Sequence, residues 1–289
     1  SFPTRRSSDL NNPRPYAQYM PGTIFVQRAY RIFLATAVKG NMVFSRDVFF
    51  NNCHVINLPR REDRWMAISK DLRAKNFTVK RFEAVDGQLV LPKISSLLSK
   101  SAKETLKRGF RYEHHEVSPG SVGCSLSHMS LWRLLVESGE PHMTIMEDDA
   151  LCTGDLEGAV ATLEKRSGES SVVLLGGLYD DSRSGLNQQH HFQMLHAYVI
   201  WPDAARKLLA TAFPISKQVD WYMMDILKGE IEGFSPSVFE QNPAVYWTDI
   251  QTTMKPTPVL SPYVNIRRVV SVTLVGVLLI FIIVAAWRG

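Results

Sequence analysis

An α/β fold with an open sheet and a C-terminal transmembrane helix is predicted by three observations. Short apolar runs alternate with stretches of helical periodicity along the chain, as strands and helices do when they follow one another. One run, Met143, Thr144, Ile145 and Met146, ends directly in Glu147-Asp148-Asp149. It reads as a buried strand delivering acids to its carboxyl end, where open α/β sheets bind ligands. Residues 269–287 contain no charged residue and as a helix would span roughly 28 Å, close to the hydrocarbon thickness of a bilayer.

The elements follow in order. Cys53 to Leu58 reads as the first strand. Glu62 and Asp63 then occupy the first turn of a helix whose Trp65, Ile68 and Leu72 share a face. Thr78 to Phe82 is the second strand, ending in the turn Ala84-Val85-Asp86-Gly87. Residues 88–118 are polar and basic and read as a helix within a long excursion. Ser125 to Glu137 is predicted helical, stopped by Gly139 with Pro141 behind it. After the acid-bearing strand, Leu156, Val160 and Leu163 mark a helix and Ser171 to Leu175 a buried strand. Ala197 to Trp201 is a further strand, and Pro202-Asp203 opens a helix through Leu208 and Leu209.

The chain has 289 residues, of which 45% are hydrophobic and 21% charged, enough to bury one good core. That core is assigned to residues 51–250. Residues 1–10 back-translate in one frame onto a widely used sequencing-library adapter and are expected to be an artefact. Residues 11–50 are an extension of doubtful origin, with Met42 a candidate native start. Pro256, Pro258 and Pro262 stiffen a linker over 251–268. Arg267 and Arg268 before the apolar stretch, against Arg288 after it, put the globular domain on the cytosolic side.

The formal charge of +5 suits nucleic acid, anionic lipid or a phosphorylated substrate, with no charge block to choose among them. Cys53, Cys124 and Cys152 show no metal spacing and are expected to be reduced thiols.

Three adjacent carboxylates repel one another, and a divalent cation relieves the repulsion. Mg²⁺ and Mn²⁺ prefer such hard oxygen ligands, often together with substrate phosphates. An exposed acidic turn is the plain alternative. Further residues give the acids a context: Val55-Ile56-Asn57-Leu58 with Arg60, Arg61 and Arg64, then Ala84-Val85-Asp86-Gly87, then Gly123-Cys124-Ser125-Leu126-Ser127-His128 with Leu131 and Trp132. Ala197-Tyr198-Val199-Ile200, Val219-Asp220 and Thr248-Asp249-Ile250 continue the series. Together with Glu147-Asp148-Asp149, this order over residues 53–250 resembles glycosyltransferase family 25, which contains bacterial lipopolysaccharide sugar transferases and collagen galactosyltransferases.

The resemblance implies a GT-A-type fold whose Rossmann-like half holds a UDP-sugar, with a metal at an acidic motif, and hence a phosphorylated substrate and no nucleic-acid partner. It implies Mn²⁺ or Mg²⁺ at Asp149 together with Glu147 or Asp148. Asn57 and Arg60 lie just past the first strand, where nucleotide contacts occur in doubly wound sheets, and Arg64 one helical turn beyond. Their alternative is a solvated helix face paired with Glu62 or Asp63. Asp86 is a candidate acceptor from ribose or uracil, or a turn former. Ser127 and His128 are predicted to open a helix after Gly120 and Gly123, where backbone N–H groups hold phosphate.

A Cys124/His128 nucleophile pair has the right i, i+4 spacing but no orienting partner. Asp220, beside Trp221 and Tyr222, is the candidate general base, a helix N-cap being its alternative. Asp225 stands in reserve, and Asp249 is a candidate late metal or nucleotide contact. His114-His115 and His190-His191 are adjacent pairs whose rings point apart, unsuited to one ion. The expected activity is metal-dependent, inverting transfer of galactose or glucose from a UDP-sugar to a hydroxyl of a glycan, lipopolysaccharide or protein. The alternatives are a non-catalytic nucleotide- or sugar-binding module and a metal-dependent nucleotidyltransferase or phosphoesterase.

Overall fold

The computed structural model describes residues 43–166, 171–179 and 183–241. The adapter-like residues 1–10, the linker at 251–268, the predicted transmembrane helix at 269–287 and Asp249 lie outside the described residues. Among the described residues no helix is long and apolar enough to cross a membrane.

A short helix α1 (Arg46–Asn51) leads into β1 (Cys53–Asn57), helix α2 (Glu62–Ala74) and β2 (Val79–Glu83). A single turn α3 (Gly87–Val90) and helix α4 (Lys100–Arg108) fill the basic excursion, and the long helix α5 (Pro119–Ser138) feeds β3 (Met143–Glu147). Then come β4 (Ala150–Cys152), α6 (Leu156–Glu164), β5 (Val172–Tyr179), β6 (Gly185–Gln188) and β7 (Phe192–Ile200). Helices α7 (Pro202–Ala210) and α8 (Val219–Ile226) precede β8 (Ile231–Ser235) and β9 (Phe239–Gln241).

Among the described residues, seven strands form one sheet in the order β2-β1-β3-β7-β5-β8-β6, and β4 and β9 pair separately. β1 lies parallel to β2 and β3, β5 parallel to β8, while β7 runs antiparallel between β3 and β5. The result is a Rossmann-like α/β sheet, parallel at one side and mixed at the other. Strand alternation sorts the core into two layers. Ile145, Leu174, Tyr198 and Ile200 face α5 and α7, whereas Met146, Val173, Ala197 and Val199 face α2 and α6. With both faces covered, the middle strands carry apolar runs such as Val172–Leu175 and Ala197–Ile200, which is why those runs were legible in the sequence.

Helix α5 begins earlier than predicted. Ser118 is its N-cap, in a reciprocal capping box with Ser121, and Pro119 takes the first position. Gly120 and Gly123 are therefore helical rather than a loop before the helix. Gly123 is needed for close approach: a Cβ there would lie 2.3 Å from Val85 O and 2.6 Å from Gly87 N. The contact seats the 84–87 turn against α5, and Ser127 Oγ locks it by accepting from Val85 N–H at 2.8 Å.

Candidate active site

β3 ends at Glu147, the chain turns through Asp148 and Asp149, and β4 leads away. Parallel pairing puts the carboxyl end of β1 beside that of β3, so Asn57 and the Arg60–Arg64 segment meet the acids directly. Glu147, Asp148 and Asp149 line a pocket together with Arg60, Arg64 and Asp86; Cys124, Ser127 and Gln241 contribute as well.

Asp148 is fully engaged. Its Oδ1 accepts from Arg64 Nη1 at 2.8 Å and its Oδ2 from Asn57 Nδ2 at 2.7 Å. Arg64 is 4% exposed and Asp148 8%, so this is a buried pair on α2 and the acid turn. The predicted alternative for Arg64, a solvated face beside Glu62 or Asp63, is thereby corrected: Arg81 takes Glu62 and Arg61 takes Asp63. Asn57 also donates to Arg61 O at 2.9 Å and accepts from Arg81 Nε at 2.9 Å. It stands behind the pocket wall, tying β1 to the acid turn.

Asp149 differs from its neighbour. Its Oδ2 accepts from Gln241 Nε2 at 2.8 Å and lies 3.6 Å from Arg64 Nη1, but its Oδ1 is buried with no hydrogen-bond partner among the described residues. Burial, then the Glu147 charge, push the Asp149 carboxyl up to about 6. Burial, then the charges of Asp148 and Asp220, push Glu147 up to about 8. Burial and neighbouring charge thus favour the protonated form of both carboxyls. A buried oxygen without a donor beside a carboxyl whose charged form its neighbours disfavour is a donor set that fits a divalent cation. The pair that fits is Glu147 with Asp149, since both Asp148 oxygens are taken.

Arg60 lies before α2 rather than on it, half exposed and ion-paired to Asp86 at the rim of the pocket. Asp86 is the N-cap of α3, accepting from Gln88 N–H at 3.0 Å. Ser127 and His128 sit more than two turns inside α5, so the predicted phosphate cradle at a helix N-terminus does not form there. Ser127 still reaches the pocket. His128 is completely buried behind it, its Nδ1 2.8 Å from Tyr198 Oη and its Nε2 3.4 Å from Glu147 Oε1. Burial lowers His128 to about 3, so its contact to Glu147 is made by a neutral imidazole rather than as an ion pair.

Asp220 sits in the first turn of α8, whose N-cap is Gln218, so the N-cap alternative does not apply. Its Oδ1 accepts from Trp221 N–H at 2.8 Å and its Oδ2 from Met194 N–H at 3.3 Å. Burial raises its pKa against those bonds, and its charge contributes to the shifts of Glu147 and His128. His115 and His191, one from each histidine pair, flank Trp221 at 5.8 and 6.5 Å between ring centroids. Sequence reasoning missed Gln241, which carried no signal. It also missed the partnership of Tyr198 and Trp132 with His128, for which the i, i+4 spacing of His128 and Trp132 was the available clue.

Carboxylates at the carboxyl end of β3, beside the parallel β1, stand where doubly wound sheets bind ligands. Residues 50–183 match the family model described as glycosyltransferase family 25 (LPS biosynthesis protein), so this part of the chain is similar to that family. The probable inactive glycosyltransferase 25 family member 3 of Bos taurus is 26% identical over 208 residues, 67% of this chain and 32% of the relative. A glycosyltransferase 25 family member of Drosophila melanogaster is 25% identical over 214 residues, 68% of this chain and 32% of the relative. Procollagen galactosyltransferase 2 of Homo sapiens is 30% identical over 102 residues, covering 35% of this chain and 16% of the relative. The aligned stretches span about a third or less of these relatives' own length.

Proposed function

We propose that the domain is a GT-A-type glycosyltransferase that moves a hexose, galactose or glucose, from a UDP-sugar to an acceptor hydroxyl with inversion. The observation that carries this reading is Asp149 Oδ1, buried with no donor among the described residues and beside Glu147, whose carboxyl burial and neighbouring charges push up. Mn²⁺ or Mg²⁺ held by Asp149 and Glu147 would supply positive charge for the departing diphosphate. The chain's own residues do the rest. Arg64 neutralises Asp148 and fixes the acid turn, while Gln241 holds Asp149 Oδ2 and leaves Oδ1 to face a cation. Arg60 and Asp86 at the rim address the nucleotide.

Asp220 takes the acceptor's proton on Oδ2, the oxygen with the longer backbone contact, and burial makes that carboxylate a stronger base. Trp221 offers an aromatic face to the acceptor. Membrane attachment through residues 269–287, with this domain on the cytosolic side, belongs to the same reading. The relatives named inactive favour a second one, a module that binds nucleotide or sugar without turnover.

The two readings separate on UDP release by the full chain offered a panel of UDP-sugars, with Mn²⁺ or with EDTA. Release from one donor, lost in EDTA, supports the transferase. Saturable UDP binding with no release from any donor, even with glycan and hydroxylysine acceptors added, overturns it in favour of the binding module.

A further inference from the structure

Cys124, His128 and Glu147 converge at the inner end of the pocket. The first two lie one turn apart on the same face of α5, and Glu147 ends β3 opposite them. Cys124 Sγ is 3.7 Å from Glu147 Oε1, His128 Nε2 is 3.4 Å from the same oxygen, and the three ligand atoms all lie within 4.8 Å of one another. Metal–ligand bonds of about 2.3 Å to sulfur and about 2.0 Å to nitrogen and oxygen place tetrahedral ligand atoms roughly 3.3–3.6 Å apart. The two Glu147 separations already lie near those values, and the Cys124–His128 separation, within 4.8 Å, closes by side-chain adjustment along one face of α5.

We propose that Cys124, His128 and Glu147 form a three-ligand site for a borderline-soft divalent cation of the Zn²⁺ class, with a fourth position open to the pocket. A thiolate and an imidazole select such an ion over Mg²⁺ or Mn²⁺. Three protein ligands with one open position is the arrangement of a reactive rather than a structural zinc site. The imidazole is already oriented from behind. Tyr198 Oη lies 2.8 Å from His128 Nδ1 and accepts Trp132 Nε1–H at 2.9 Å. Its second lone pair takes Nδ1–H when Nε2 binds metal. Binding deprotonates the Cys124 thiol and the Glu147 carboxyl, and both protons pass to solvent.

The site stands independently of the transferase reading but shares Glu147 with it. If that reading holds, Zn²⁺ competes for Glu147 and inhibits Mn²⁺-supported transfer.

The test is a Co²⁺ titration of the full chain, read by the thiolate-to-cobalt charge-transfer band and the intensity of the visible bands. One equivalent should produce both signals, and one equivalent of Zn²⁺ should abolish them. Cys124→Ser should remove the charge-transfer band with the fold intact by circular dichroism, and Tyr198→Phe should weaken Co²⁺ binding about 10–100-fold. Asp149→Asn should keep the band. No band in the native chain overturns the proposal, and so does a band that survives Cys124→Ser, which would arise from Cys53 or Cys152. If Cys124→Ser does not fold, loss of the band in Glu147→Gln together with its retention in Asp149→Asn supports the site, and equal loss in both overturns it. Because the readout is spectroscopic, inactivity toward UDP-sugars leaves it unaffected.

Discussion

Arg64 and Asp148 are each nearly sealed from solvent and bonded at 2.8 Å, so neither charge can lose its partner without being left in a dry site. Removing one member of such a pair typically costs about 3–5 kcal/mol. Arg64→Ala is therefore expected to lower the unfolding free energy by about that much in urea denaturation; a change below about 1 kcal/mol, the range of an exposed pair, would show the pair to be solvated. The importance of Arg64 was legible in the sequence but its partner was not. Glu62 and Asp63 are its neighbours in the chain, whereas Asp148 reaches it only through the parallel β1–β3 register. Asp149's unpartnered oxygen was illegible for the same reason, since Gln241 arrives on β9, paired to β4.

At the scale of elements, the contact between α5 and the 84–87 turn shapes one wall of the pocket. A methyl group at Gly123 would overlap the backbone of Val85 and Gly87, and no flexible side chain is available to move aside. Gly123→Ala is expected to cost about 1–3 kcal/mol, the usual range for overpacking, and to weaken UDP binding more than Asp225→Ala does. Calorimetry on both variants checks this, and equal UDP affinities would show that the turn does not form the nucleotide wall.

The central strands β3, β5 and β7 announced themselves by short, mostly apolar runs. β6, β8 and β9 did not, because they are short, contain Gly or polar residues, and earn their place through pairing. The start of α5 was misread because its glycines suggested a loop, although Ser118 and Pro119 carried the correct capping signal. The predicted membrane helix tests separately: alkaline extraction should leave the full chain in the membrane fraction and release a chain ending at residue 262.

For the whole molecule, buried histidines set the response to acid. Burial lowers His54, His142 and His196 to about 4 and His128 to about 3, each from 6.5. Below pH 6.5 the unfolded chain binds protons that the native chain refuses, so stability complete above that pH is lost as it falls toward 4. Glu147, raised to about 8, and Asp149, raised to about 6, act in the opposite sense. Their native forms keep protons that the unfolded chain releases, which lowers stability as pH rises through those values. Without metal, Tm should therefore peak near pH 6.5, fall steeply on the acid side and gently up to pH 8. Mn²⁺ should remove the alkaline decline by favouring the charged carboxylates. A Tm unchanged between pH 6.5 and 4.5 contradicts this accounting.

The claim on which the functional account rests is that Asp149 serves a cation rather than the fold. The direct measurement is the rate of UDP release from the preferred donor at saturating Mn²⁺, for the native chain and for Asp149→Asn, alongside their Tm values. The account predicts a loss of about 10²–10³-fold, the scale of removing one electrostatic contact to developing charge, with Tm unchanged or raised. A variant that releases UDP within threefold of the native rate would contradict it and remove Asp149 from the chemistry.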